Sequence, residues 1–137
     1  MRDFFAKDEV AKYLGAELVQ FHPGYAEVRM QIRKTHLNAH GTVHGGVIFA
    51  IADLAFGIAG NSEGIPSVAI DATISYMKTV RQGSLIAKAE EFVSNPRLGS
   101  YRVEVTTDDG ERIALFQGMS YRRSTPSDGR TSNFIRK

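Results

Sequence analysis

HGGVIFAIADLAFGIA, residues 44–59, carries a single polar side chain between Val47 and Ala59, the carboxylate of Asp53. A helix that is apolar on every side has no solvent face, so other structure must wrap it. A lone carboxylate in such a helix is expected to be buried. Burial without partners favours its neutral form and raises its pKa, the condition in which working carboxylates are often found. The Gly45-Gly46 pair opens this helix, which is predicted to run from about Gly45 to Asn61, where Asn61-Ser62-Glu63-Gly64-Ile65-Pro66 supplies capping and breaking residues.

Beyond the helix the pattern changes to period two. Val68, Ile70, Ala72, Ile74 and Tyr76 are expected to share one face of a strand, opposite Ala69, Asp71, Thr73 and Ser75. Further strands are predicted over about Ser84 to Val93, Tyr101 to Thr107 and Arg112 to Arg122. The Asp-Gly pair in Asp108-Asp109-Gly110 fits a hairpin turn between the last two. Upstream, Tyr25 to Arg33 points Ala26, Val28, Met30 and Ile32 one way, after a first strand and a His22-Pro23-Gly24 turn. Phe4 to Leu14 reads as one amphipathic helix stopped by Gly15, and Lys34 to Val43 reads as a loop. Antiparallel strands with one segregated helix make an α+β architecture, a sheet wrapped around a long central helix. An open sheet leaves edges uncovered, so oligomerisation is expected.

The 137 residues suit one domain, with 42% hydrophobic and 23% charged residues. There is no cysteine, which excludes disulfides and thiol chemistry and suits a reducing cytoplasm. The N-terminus lacks the apolar core of a signal peptide, and the longest apolar run is short of the roughly 20 residues that span a bilayer. A cytoplasmic protein with no membrane partner is the expectation. The net charge is +2, yet Arg122, Arg123, Arg130, Arg136 and Lys137 face only one acid, Asp128, at the end of the chain. Residues 1–121 hold 12 basic and 14 acidic side chains, so the basicity belongs to the tail. Five dispersed cations read as a solvated end, and no nucleic-acid partner is expected. The expected organisation is one domain over residues 1–123 and a basic, flexible tail over 124–137.

The residue types that could do chemistry gather at the start of the helix: Asn38, His40, His44, Gly45 and Gly46. Unpaired N–H groups at a helix N-terminus suit a developing oxyanion, and glycine admits a ligand close to the backbone. Alternatively, the glycine pair only eases a tight turn. Asp53 lies eight residues past Gly45, about 12 Å along a helix, too far for both to act on one carbonyl. Two antiparallel helices from two copies would bring Asp53 of one to Gly45 of the other, twice by symmetry. Asp53 otherwise caps a buried backbone group or pairs with a distant cation. His40 and His44 lack a third metal ligand, so no metal site is expected. No phosphate-binding loop or dinucleotide fingerprint is present.

Asn38-Ala39-His40-Gly41-Thr42-Val43-His44-Gly45-Gly46, followed by Ala52-Asp53, Gly60-Asn61-Ser62 and Ile74-Ser75-Tyr76-Met77-Lys78, resembles the PaaI-like branch of the hotdog-fold acyl-CoA thioesterases, named for phenylacetic acid degradation. The resemblance covers roughly residues 15–122. It implies a hotdog fold, an antiparallel sheet of five to six strands around the helix, in homodimers with interfacial sites that often pair into tetramers. It implies hydrolysis of an acyl-CoA, with an aryl or hydroxyphenylacetyl ester as a candidate, and no cofactor beyond the coenzyme A of the substrate. By position, Gly45 N–H would polarise the thioester carbonyl, and Asp53 of the partner subunit would activate water or attack. His44 would orient the thioester near its sulfur, Asn38 would position substrate or water, and Gly46 would line the substrate site. Some relatives carry a hydroxyl residue where this chain has Ala69. Lys78, Arg81 and Arg97 are candidates for the coenzyme A phosphates, since phosphates favour Lys and Arg, although surface cations often serve only solubility. A hydratase or dehydratase acting on acyl thioesters and a non-catalytic acyl-CoA binding module are the competing readings.

Overall fold

Helix α3, Gly45–Asn61, lies in the curl of a six-stranded antiparallel sheet and contacts every strand. The computed structural model describes residues 1–123. The expected tail, 124–137, lies outside the described residues. In chain order the other elements are α1 (Arg2–Ala6), α2 (Glu9–Leu14), β1 (Ala16–His22), β2 (Tyr25–Gln31), a 3-10 turn (Lys34–His36), β3 (Ser67–Tyr76), β4 (Ser84–Ser94), β5 (Leu98–Thr107) and β6 (Arg112–Arg122). The strand order is β1-β2-β4-β5-β6-β3, so β1 and β3 are the edges. The architecture is the α+β hotdog arrangement. Among the described residues no helix is long and apolar enough to cross a membrane.

Alternation decides which side of the sheet meets the helix. Ala26, Val28 and Met30 of β2, Leu85, Ala87 and Ala89 of β4, Val103 and Val105 of β5, and Ile113 and Phe116 of β6 are all fully buried. From the helix, Ile48, Ile51, Ala52, Ala55, Phe56, Ile58 and Ala59 close the core. Phe56 meets Tyr101 edge-on with ring centroids 5.5 Å apart and lies 5.6 Å from Phe116. That ring has room only because Gly118 faces it: a Cβ there would lie 2.9 Å from Phe56 Cζ.

Three expectations need correction. The N-terminal helix is two helices, because the Asp8 carboxylate accepts the Ala11 N–H at 3.0 Å and caps a new start at α2. A short side chain that satisfies first-turn donors favours a cap over a helix interior. Ala11 and Leu14 are buried, whereas Phe4, Val10 and Tyr13 are exposed. In β3 the pairing with β6 shifts register between Ala69 and Asp71, so one inward face does not continue through the strand. Ala72 and Ile74 pack on the core, while Val68, Ile70 and Tyr76 are exposed. Finally, α3 is not wrapped on every side. Gly46 and Asp53 are exposed and Ala50 and Gly57 half-buried, at three- and four-residue spacing that traces one open strip along the helix.

Gly118→Ala should therefore destabilise the fold by about 1–3 kcal/mol through overpacking against Phe56, read as a lowered urea midpoint at unchanged slope.

Candidate active site

The loop before α3 is built by one side chain. Asn38 Oδ1 accepts the N–H groups of His40 (2.9 Å) and Thr42 (3.2 Å) and the Thr42 hydroxyl (3.2 Å). Three converging donors identify that atom as the oxygen and leave the Asn38 amide NH2 as the outward donor. Arg81 Nη1 donates to the carbonyls of His40 (3.1 Å) and Gly41 (3.3 Å), so this cation holds the loop from outside. Buried His36 ties the loop to the N-terminal helices. Its Nδ1 accepts the Arg33 N–H at 2.9 Å, its Nε2–H donates to the Leu14 carbonyl at 3.1 Å, and its own carbonyl accepts the His44 N–H at 2.9 Å. Burial first, and the nearby Arg33 second, lower the His36 pKa and keep the ring neutral in that role.

His44 is the N-cap of α3. A helix start presents N–H groups with no intrahelical acceptor, and here most are accounted for. His44 Nδ1 accepts the Gly46 N–H at 2.8 Å, and the His44 carbonyl accepts those of Val47 (2.9 Å) and Ile48 (3.2 Å). Among the described residues the Gly45 N–H has no acceptor, and it sits at the positive end of the helix dipole. Tyr76, at the end of β3, donates its hydroxyl to the Gly45 carbonyl at 2.8 Å. A Cβ on residue 45 would lie 3.1 Å from Tyr76 Cζ, so the ring occupies the place of a side chain.

Asp53 stands two turns further along the open strip. With a rise of about 1.5 Å per residue it is about 12 Å from Gly45 on the same helix. The α1–α2 corner leans over it: Phe4, Phe5, Lys7 and Asp8 join Asp53, Leu54, Gly57, Ile58 and Asn61 around a depression of about 380 Å³. The expectation of a buried acid is thus corrected to an acid that opens to solvent inside a walled hollow. The walls still withdraw water, and this desolvation, followed by repulsion from Asp8, raises the Asp53 pKa.

The cations divide. Lys78 and Arg81 follow β3 on the Gly45 side, and Lys78 pairs with Glu111 at 2.9 Å. Arg97 lies in the β4–β5 turn, where its carbonyl accepts the Arg122 N–H at 2.7 Å beside the opposite end of β3. One chain therefore separates Arg97 from the other two by about the length of that strand, roughly 30 Å. Ala69 sits at the register shift of β3. Tyr76, His36 and Asp8 are contributors that pattern reading does not single out. Tyr76 was visible as an apolar-face residue of a strand and within the Ile74–Lys78 stretch of the resemblance, with no role attached, and Asp8 only as a charge on a helix. Among the described residues no three His, Asp or Glu side chains converge as a metal site.

Residues 40–114 match the Thioesterase superfamily. The chain is 34% identical over 119 residues to the acyl-coenzyme A thioesterase PaaI of Escherichia coli, covering 86% of this chain and 85% of that protein. The structure of the PaaI protein from the E. coli phenylacetic acid degradation operon superposes with a TM-score of 0.86 at 33% identity, covering 89% of each chain. A single-residue mutant of the phenylacetic acid degradation protein PaaI from Thermus thermophilus superposes with a TM-score of 0.80 at 38% identity, over 84% of this chain and 99% of that one.

A raised carboxyl pKa has a sign that stability must follow. Folding favours protonated Asp53, so the contribution of this group to stability falls as pH rises from the ordinary carboxylate range through the raised value. Asp53→Asn should melt higher than the parent at neutral pH and show no such advantage well below the ordinary carboxylate range. Asp8→Asn retains a good N-cap and removes a charge. It should bring the Asp53 midpoint down in a carboxyl-carbon NMR titration, and an unmoved midpoint would refute the coupling.

Proposed function

Because the chain belongs to the thioesterase superfamily, a family of hydrolases acting on thioesters, we propose that it hydrolyses an acyl-CoA to the free acid and coenzyme A, acting in the cytoplasm as a homodimer with two interfacial sites. The observation that carries this reading is the separation of the unoccupied Gly45 N–H from Asp53. Two groups about 12 Å apart on one helix serve one carbonyl only when they come from different copies. The exposed strip of α3 and the unpaired ten-residue edge β3 are the surfaces such a pairing would cover. Further pairing of dimers into a tetramer belongs to the same proposal.

In the proposed reaction the thioester oxygen lies against the Gly45 N–H, and His44 Nε2–H and the Asn38 amide donate nearby. The partner subunit's Asp53, with its raised proton affinity, takes a proton from water as the water oxygen bonds to the carbonyl carbon. The tetrahedral oxyanion is held at the helix N-terminus. It then reforms the carbonyl, the C–S bond breaks, and the proton on Asp53 passes to the coenzyme A thiolate. Gly46, whose N–H is committed to His44, keeps the approach to the backbone open. Arg81 and Lys78, which follow β3 on the Gly45 side, would meet the phosphates, and Arg97 would join them from the other subunit. The reaction needs no cofactor beyond the substrate's own coenzyme A.

The hollow beside Asp53 suits an aryl acyl group. Phe4, Phe5, Leu54 and Ile58 offer apolar contact, and Asn61 offers a polar edge for a ring hydroxyl. Phenylacetyl and hydroxyphenylacetyl esters are accordingly the proposed substrates, in line with the phenylacetic acid degradation named for the Thermus and E. coli relatives.

Thiol release from a panel of aryl- and alkyl-CoA esters tests the proposal. Asp53→Asn and Asp53→Ala should lower kcat by about 10²–10⁴, the usual share of a general base. Rates equal to the parent would overturn the assignment, and hydration of an enoyl-CoA without thiol release would favour the hydratase reading. Gly45→Pro removes the N–H at a first helical position whose backbone suits proline, while its Cβ, 3.1 Å from Tyr76 Cζ, displaces that ring in the same subunit. Mixing it with Asp53→Ala should restore activity in heterodimers, because one of their two sites is intact, and no recovery with subunit exchange demonstrated would refute the shared site.

A further inference from the structure

We infer that Tyr76 is a positioning residue of this site, whose hydroxyl, acting through the Gly45–Gly46 peptide, holds His44 as the neutral Nε2–H tautomer that faces the substrate. The inference rests on the thioesterase reading for its consequence, though its physical core is a chain of hydrogen bonds independent of any substrate. The Tyr76 hydroxyl donates to the Gly45 carbonyl at 2.8 Å, and the N–H of the same peptide unit, that of Gly46, donates to His44 Nδ1 at 2.8 Å.

A peptide that accepts at its oxygen becomes a better donor at its nitrogen, and hydrogen bonds in series strengthen one another by about 10–30% each. The bond at Nδ1 demands a lone pair there, so the neutral ring carries its proton on Nε2. His44 is exposed, which leaves that Nε2–H free to donate to a thioester. Tyr76 is 50% exposed although its hydroxyl is bonded, so desolvation does not explain its placement. Its ring also stands 3.1 Å from the missing Cβ of Gly45. The residue thus fills the space beside Gly45 with its ring and, with its hydroxyl, sets the tautomer of the neighbouring donor.

A residue that merely fastened β3 to α3 would affect neither the histidine proton nor kcat selectively. The first measurement needs no variant. Imidazole 15N shifts of the parent at about pH 9, above the ordinary histidine range, with His44 assigned by the signals lost in His44→Gln, should show a single Nε2–H tautomer and a scalar coupling from the Gly46 nitrogen to Nδ1. A dominant Nδ1–H tautomer would overturn the inference. Tyr76→Phe keeps the ring and loses the hydroxyl. It frees the Gly45–Gly46 peptide of one neutral hydrogen bond, so that the peptide can turn away from His44: the scalar coupling to Nδ1 should fall, an Nδ1–H population should appear, and kcat should drop about 3- to 10-fold with KM within about twofold of the parent. An unchanged tautomer, or an unchanged kcat, in a folded Tyr76→Phe protein would overturn it. Failure of the Asp53 variants to lose activity would remove the hydrolytic reading and leave the tautomer result standing, so the two failures are distinguishable.

Discussion

One helix in this protein has to satisfy two opposed requirements. The side of α3 that meets the sheet buries Ile51, Ala52, Ala55, Phe56 and Ile58, and that burial is the largest favourable contribution holding the sheet in its curl. The other side cannot be closed by the same sheet. Six strands curl far enough to contact α3 with each strand, yet they leave the strip from Gly46 through Asp53 to Gly57 open. That strip includes two glycines and a carboxylate where a core-facing strip would hold branched side chains. Packing and chemistry are thus divided between two faces of one helix.

The N-terminus of α3 shows how a structural requirement becomes a site. Buried or half-buried backbone donors must find acceptors. His44 supplies its carbonyl and its ring for three of the four first-turn N–H groups, and His36 anchors His44 in turn. What remains is the Gly45 N–H, with the dipole of a 17-residue helix behind it. The loop that delivers the chain to this point is held for a similar reason: Asn38 satisfies three donors with one oxygen, and Arg81 satisfies two carbonyls with one nitrogen. Asn38 and Arg81 therefore have a scaffold role in the free protein, and each retains N–H groups for another.

Much of this was legible in the residues. The long apolar run announced α3, and its bounds at Gly45 and Asn61 follow from the glycine pair and the capping residues. Strict alternation in β2 predicted burial of Ala26, Val28 and Met30, and the Asp109-Gly110 turn predicted the β5–β6 hairpin. What stayed hidden depends on tertiary choices. The register shift at Ala69–Asp71 is a property of the β3–β6 pairing rather than of β3 alone, so Ile70 reads inward by period and stands outward in fact. Asp8 reads as one helix charge until its carboxylate competes for Ala11 N–H. Tyr76 reads as an alternating strand residue, because only the fold brings residues 45 and 76 together.

Asp53 shows why the hollow and the acid belong together. An acid on a fully solvated helix face would titrate ordinarily and cost the fold nothing. An acid sealed in the core would remain protonated or demand a partner. The α1–α2 corner sets a state between these, with Phe4 and Phe5 withdrawing water and Asp8 adding like charge, so the carboxylate stays within reach of solvent yet holds a proton more readily than a free one. The same break at Asp8 that spoils a continuous N-terminal helix is what turns the corner over Asp53. A residue that looks like a flaw in a secondary-structure pattern is therefore part of what sets the proton affinity of the acid.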